Sequence, residues 1–117
     1  MAITETPGGP TRKGKPGRPA GITEKEWQRE VCDIAAMHGW RQYHTWSSVH
    51  SAAGFPDLVL CRPPDLLVVE LKSNTGKITE AQAGWLNALV ACGVRCYVWR
   101  PSDLVSVLTV LKKGHKL

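Results

Sequence analysis

Two short apolar runs, Asp57-Leu-Val-Leu-Cys61 and Leu66-Leu-Val-Val-Glu-Leu-Lys72, flank the segment Arg62-Pro-Pro-Asp65. Aliphatic and β-branched residues in such runs suit strands, and a proline pair can continue neither of them, so the chain must turn between the two. The pattern predicts a β-hairpin. Asp57, Glu70 and Lys72 are the exceptions to its apolar character. Alternation sends Glu70 and Lys72 to one face of their strand and Leu67, Val69 and Leu71 to the other. Closing the hairpin brings Asp57 back opposite the end of the second strand, beside Glu70 and Lys72. Isolated ionised groups in such a sheet cost roughly 3 to 5 kcal/mol unless they are paired or hold a metal. A structural salt bridge, such as Lys72 with Asp57, would account for two of these charges and leave the third unexplained.

The remaining elements follow from periodicity. Trp27, Val31, Ile34, Ala35 and His38 recur at helical spacing before Gly39, which predicts a helix over 24–38. Thr23 and Glu26 fit a capping box at its start. Residues 40–46 alternate as a strand, and a polar loop over 47–55 leads into the hairpin. Thr79-Glu-Ala-Gln82 opens a second helix to about Cys92, with Ala81, Trp85, Leu89 and Cys92 along one stripe. Val94 to Arg100 reads as a fourth strand, and Ser102 can cap a last helix carrying Leu104, Val107, Leu108 and Leu111. The order is α-β-β-β-α-β-α. A helix between the third and fourth strands is the usual means of pairing them in parallel, so an α/β fold with a mixed sheet and flanking helices is expected.

Residues 1–22 are different in kind, rich in Gly and Pro and almost without core-forming side chains, so they read as a disordered tail before a domain over 23–117. Arg12, Lys13, Lys15 and Arg18 against Glu5 alone put +3 of the net +5 charge there. The tail could be a solvated linker or a phosphate-binding arm, and Lys15-Pro-Gly-Arg-Pro19 resembles the core of an AT-hook. Cys32, Cys61, Cys92 and Cys96 lack zinc-knuckle spacing and sit in apolar runs, as buried reduced thiols of an intracellular, cytoplasmic-type protein would. No apolar run approaches the ~20 residues that span a bilayer, and no secretory h-region is present, so no membrane partner is expected.

Two carboxylates and an amine at one spot suit a hard divalent cation, Mg²⁺ or Mn²⁺, that keeps waters for reaction. Such an ion acidifies bound water and neutralises charge growing on a phosphoryl oxygen. Hydrolysis of a phosphodiester is the chemistry that fits.

Pro56-Asp57 with Glu70-x-Lys72 resembles the signature of the PD-(D/E)XK nuclease superfamily. Together with Glu24-Lys-Glu-Trp-Gln28, Gly54-Phe-Pro-Asp-Leu58, Val69-Glu-Leu-Lys72 and Thr79-Glu-Ala-Gln82, the chain looks like the VRR-NUC (virus-type replication-repair nuclease) family over about residues 23–100. The resemblance implies a restriction-endonuclease-like αβββαβ core, similar to Holliday-junction resolvases. It also implies metal ligation by Asp57, Glu70 and the Leu71 carbonyl, with Lys72 activating or orienting water. Stand-alone phage forms of the family imply a homodimer acting on branched DNA, with a phage or prophage origin.

The resemblance further implies a carboxylate from the first helix. Helical geometry turns Glu24 toward the packed face, and Glu24 matches the family's leading glutamate as a catalytic and metal-binding residue, with Glu30 as the alternative. Gln82 matches a glutamine near the site, although it also fits a capping box. His44 and Ser47 precede the site loop and could contact the scissile phosphate, or could be ordinary sheet and loop residues. Lys77, Arg62, Arg95 and Arg100 are candidate phosphate contacts, and Trp27 and Trp85 are expected in the core.

Overall fold

The computed structural model describes residues 4–5, 21–45 and 52–114. In chain order the elements are β1 (Thr4–Glu5), α1 (Glu24–Met37), β2 (Arg41–His44), β3 (Leu58–Arg62), β4 (Asp65–Leu71), α2 (Glu80–Ala91), β5 (Arg95–Trp99) and α3 (Leu104–Lys113). Both capping boxes form. Thr23 Oγ1 accepts the Glu26 N–H at 3.0 Å while the Glu26 carboxylate takes the Thr23 N–H at 2.9 Å. Thr79 and Gln82 repeat the arrangement at α2. Gly39 and Gly93, both at positive φ, let the chain leave α1 and α2 abruptly.

The Arg62-Pro-Pro-Asp65 turn closes an antiparallel hairpin in which Leu58 pairs with Val69 and Arg62 with Asp65. β2 adds antiparallel to β3, and α2 crosses over so that β5 lies parallel to β4. The result is a mixed four-stranded sheet, β2-β3-β4-β5, flanked by helices. The pair Thr4–Glu5 extends it at the β5 edge, in parallel register with Tyr97 and Val98. That short pairing departs from a tail without secondary structure, because an edge strand offers N–H and C=O groups that a passing segment can bond. The other residues of 1–20 lie outside those described.

Parity along the strands divides the core in two. Leu58, Leu60, Leu67, Val69, Leu71 and Trp99 pack under α1 and α3 with Trp27, Val31, Ala35, Val107 and Leu111. On the other face Val68, Cys96 and Val98 pack under α2 with Leu86 and Val90. Trp27 is fully buried, its indole N–H bonded to the Trp99 carbonyl at 3.0 Å.

The face of α2 differs from the expected stripe. Leu86 and Val90 are buried, whereas Ala81 and Cys92 are exposed and Trp85 is half-buried against Phe55, ring centroids 5.0 Å apart. Apolar residues lie all round α2, so periodicity alone does not select the packed side. Of the four cysteines, all free, only Cys96 is fully buried. Ser102 lies inside a 3₁₀ turn, Pro101–Asp103, and α3 begins after it at Leu104. Among the described residues no helix is long and apolar enough to cross a membrane.

Candidate functional site

The hairpin does what its alternation demands. Glu70 is the penultimate residue of β4 and shares the α2 face with Val68, while Lys72 follows the strand's end on that same side. Both are buried, Glu70 at 1% and Lys72 at 7% exposure, and Lys72 Nζ stands 3.9 Å from Glu70 Oε2. Asp57, one residue before β3, is half-buried, and its Oδ2 accepts the Leu71 N–H at 2.7 Å. That bond carries the ladder past its last regular pair and fixes the carboxylate beside Glu70. The Lys72 N–H bonds the Trp99 carbonyl at 3.1 Å, anchoring the lysine's backbone to β5.

Gln82 serves both readings at once. Its Oε1 accepts the Thr79 N–H at 2.9 Å, and its Nε2 donates to Glu70 Oε2 at 3.0 Å. An amide can do both because it carries an acceptor and a donor.

Glu70 Oε1 is buried with no hydrogen-bond partner among the described residues. Two carboxylates can bond each other only by sharing a proton. Burial, the Asp57 carboxylate and that shared proton push the Glu70 carboxyl up to about 9, with Lys72 opposing and Glu24 adding to the rise. Two adjacent carboxyl groups, one of them buried with an orphaned oxygen, are a donor set that a divalent cation would satisfy, and Mg²⁺-like ions need only one or two carboxylates. Among the described residues no three His, Cys, Asp or Glu side chains converge on one point. The protein oxygens that could hold an ion are those of Asp57 and Glu70, with the carbonyl of Leu71, the residue after Glu70, as a third candidate.

Glu24 corrects an expectation. It is exposed rather than turned into the packed face. It is the first residue of α1, whose first turn is tied to the end of β5 by the Trp27–Trp99 bond. Its charge still acts on Glu70 through space, and Glu30, six residues further along α1, is half-buried.

His44 lies on the other face of the sheet from the acidic group. It pairs with Leu58, so its side chain takes the α1 face of the sheet, opposite Glu70. There its Nδ1 lies 3.0 Å from Gln28 Nε2 and its Nε2 3.5 Å from Cys32 Sγ. Lys77 is exposed in the connection from β4 to α2. Arg62 bonds the carbonyls of His38 and Leu111, and Arg95 pairs with Asp65 at 3.1 Å, so both serve packing. Arg12, Lys13, Lys15, Arg18 and Ser47 lie outside the described residues.

Three residues support the site in ways that were not read from the sequence. Thr45 donates its N–H to the Asp57 carbonyl and its hydroxyl to the Pro56 carbonyl, each at 3.0 Å, holding the segment that carries Asp57. Gly54 sits at φ +84°, where a Cβ would come within 2.5 Å of the Ala81 backbone; its place in Gly-Phe-Pro-Asp was the available signal. Arg100 bonds the carbonyls of Ser73 and Gly76, bracing the loop after Lys72, and only the fold reveals this.

The family model for the VRR-NUC domain matches residues 21–103. A solved structure described as a VRR_NUC domain protein superposes with a TM-score of 0.65 at 23% identity, over 82% of this chain and 93% of the other. No curated protein matches the chain.

Proposed function

The chain belongs to the VRR-NUC domain family, with its nuclease-type fold, and from that premise we propose that it is a Mg²⁺- or Mn²⁺-dependent DNA endonuclease cutting branched DNA. The observation that carries the reading is the Asp57–Glu70–Lys72 group, in which Glu70 and Lys72 are buried and Glu70 Oε1 has no hydrogen-bond partner among the described residues. A structural ion pair would need neither the second carboxylate nor the orphaned oxygen.

Asp57, Glu70 and the Leu71 carbonyl would hold the cation, with Glu24 reaching it through water. When bound, the ion supplies Lewis acidity, lowering the pKa of a water and offsetting charge on the phosphoryl oxygen. The protein's own groups do the rest. One Asp57 oxygen is spent on the Leu71 N–H, so the other is aimed by a fixed backbone. Gln82 holds Glu70 Oε2, leaving Oε1 toward the site. The Lys72 ammonium, with donors to spare beyond Glu70, hydrogen-bonds the attacking water or a non-bridging phosphate oxygen in the transition state. Exposed Lys77 and the basic residues of the tail add nonspecific phosphate attraction. A two-fold dimer would present two such sites to a four-way junction.

The test is cleavage of a labelled four-way junction, a flap and plain duplex in EDTA, Mg²⁺ or Mn²⁺, with sedimentation of the same preparation. Metal-dependent cutting that favours the branched substrates, by a dimer, is expected. DNA binding without cutting under every metal condition would instead mark an accessory module. Metal-dependent cutting of duplex alone would remove the preference for branches.

A further inference from the structure

Strand β2 is the edge of the sheet on the Asp57 side. Gln42 and His44 bond groups of α1, so Arg41 and Tyr43 take the opposite face, the one that carries Asp57 and Glu70. On that face α2 packs over Val68, Cys96 and Val98 and reaches only as far as half-buried Val59 on β3, which leaves β2 open. Tyr43 is accordingly 65% exposed, whereas every other aromatic ring among the described residues is buried or, as with Phe55 and Trp85, packs on a second ring. Arg41 beside it is also exposed, and among the described residues of β2 and β3 on this face Asp57 is the only carboxylate. Register sets the spacing. Tyr43 pairs with Val59, which puts Asp57 at the diagonal position, about 7 to 8 Å away between Cα atoms and within reach of an aromatic side chain. Thr45, whose N–H bonds the Asp57 carbonyl at 3.0 Å, fixes that relation.

We propose that Tyr43 is a stacking platform for an unpaired base of the DNA arm that leaves the metal site, with Arg41 on a phosphate further along the same strand. The proposal rests on the nuclease reading, which puts the cut phosphate at Asp57 and Glu70. An aromatic ring left in water has an apolar face to cover, and a nucleobase offers a matching one whatever its sequence, while a neighbouring cation follows the backbone. A base within a duplex has both faces taken by its neighbours. Tyr43 therefore distinguishes flaps, junction arms and frayed ends from plain duplex without reading sequence, a selectivity that an acidic group meeting only a phosphate lacks. Strand geometry gives the direction. Arg41 lies two residues beyond Tyr43, about 7 Å further from the acidic group, so the bound arm runs along β2 away from the site.

The experiment is binding of the full chain, in EDTA, to DNA flaps that carry the fluorescent base 2-aminopurine at successive unpaired positions beside the branch, with the same base inside plain duplex as reference. Quenching at an unpaired position is expected with wild type and with Tyr43→Phe, which keeps the ring. Tyr43→Ala should lose it and bind the flap about tenfold more weakly, with duplex affinity unchanged. Arg41→Ala should weaken flap binding less and lower its salt dependence by about one released ion. Quenching that survives in Tyr43→Ala, a Tyr43→Phe variant as weak as the alanine, or an equal loss on duplex would overturn the proposal. So would a Tyr43→Ala chain that binds the flap like wild type but sediments as a smaller species, which would assign the ring to a second copy. Cleavage in Mg²⁺ is read separately. Cutting by wild type with no role for Tyr43 in binding removes the platform alone, whereas Tyr43-dependent binding by a chain that cuts no DNA removes the reaction and the platform's place beside it.

Discussion

β4 presents two faces built from alternate residues of one short segment, and they are opposite in character. Leu67, Val69 and Leu71 are fully buried under α1 and α3 beside Trp27 and Trp99. The other face carries exposed Leu66 and buried Val68 and ends with Glu70 and Lys72 under the start of α2. The apolar face gains stability from every side chain it buries, each contributing about 1.5 to 3 kcal/mol. The charged face sacrifices some of that to keep a carboxyl pair and an ammonium out of water. Position parity along one strand thus separates what holds the protein together from what equips it for chemistry.

Substitutions on the two faces should therefore fail in different ways. The largest effect is expected from Glu70→Gln or Lys72→Ala, each lowering metal-dependent cleavage by about a thousandfold while the protein stays folded. Glu70→Gln should melt no lower than wild type at pH 8, because it removes a buried ionisable group. A variant that unfolds would mean that the charged face is structural after all. On the opposite face Leu67→Ala should cost about 2 to 5 kcal/mol in denaturant unfolding and leave cleavage per folded molecule unchanged.

A third contrast is in pH. Glu70 holds its proton up to about 9 when folded, against an ordinary value of 4.5, so between these the folded chain binds a proton that the unfolded chain has released. Stability of the metal-free protein should fall as pH rises across that window and level off above it. Glu70→Gln should flatten the slope seen in thermal melts. An unchanged slope would place the titrating group elsewhere.

The smallest effect compares the two capping boxes. Glu26 and Gln82 occupy the same position in the same motif, yet only the amide has a donor left for the site. Gln82→Glu should keep the cap but set a third carboxylate against Glu70, lowering cleavage by about tenfold, since a lost transition-state contact of ~1.4 kcal/mol is one decade. Glu26→Gln should cost at most about 1 kcal/mol in stability and nothing in activity. Equal behaviour of the pair would reduce Gln82 to a cap.

Much of this was legible in the sequence because it is governed by local rules. The proline turn, both capping boxes, the parallel crossover and the convergence of Asp57 with Glu70 and Lys72 follow from turn chemistry and alternation. What the sequence hid depends on relative placement. The packed side of α2 is chosen by the sheet beneath it, so Leu86 and Val90 took the place expected for Ala81 and Trp85. Glu24 is exposed at the very start of α1, ahead of the buried Trp27, and His44 faces α1 because its register with Leu58 puts it there. The dual role of Gln82 was visible as two alternatives, and only the 3.0 Å bond to Glu70 unites them.

The central claim, that the charged face of β4 is a divalent-metal centre, is tested most directly by calorimetric titration of Mn²⁺ into the protein at pH 8 in buffers of different ionisation enthalpy. Saturable binding is expected, with about one proton released as the ion displaces the one shared by Asp57 and Glu70, and its loss in Asp57→Asn. Absence of binding, or binding that Asp57→Asn leaves intact, would contradict it.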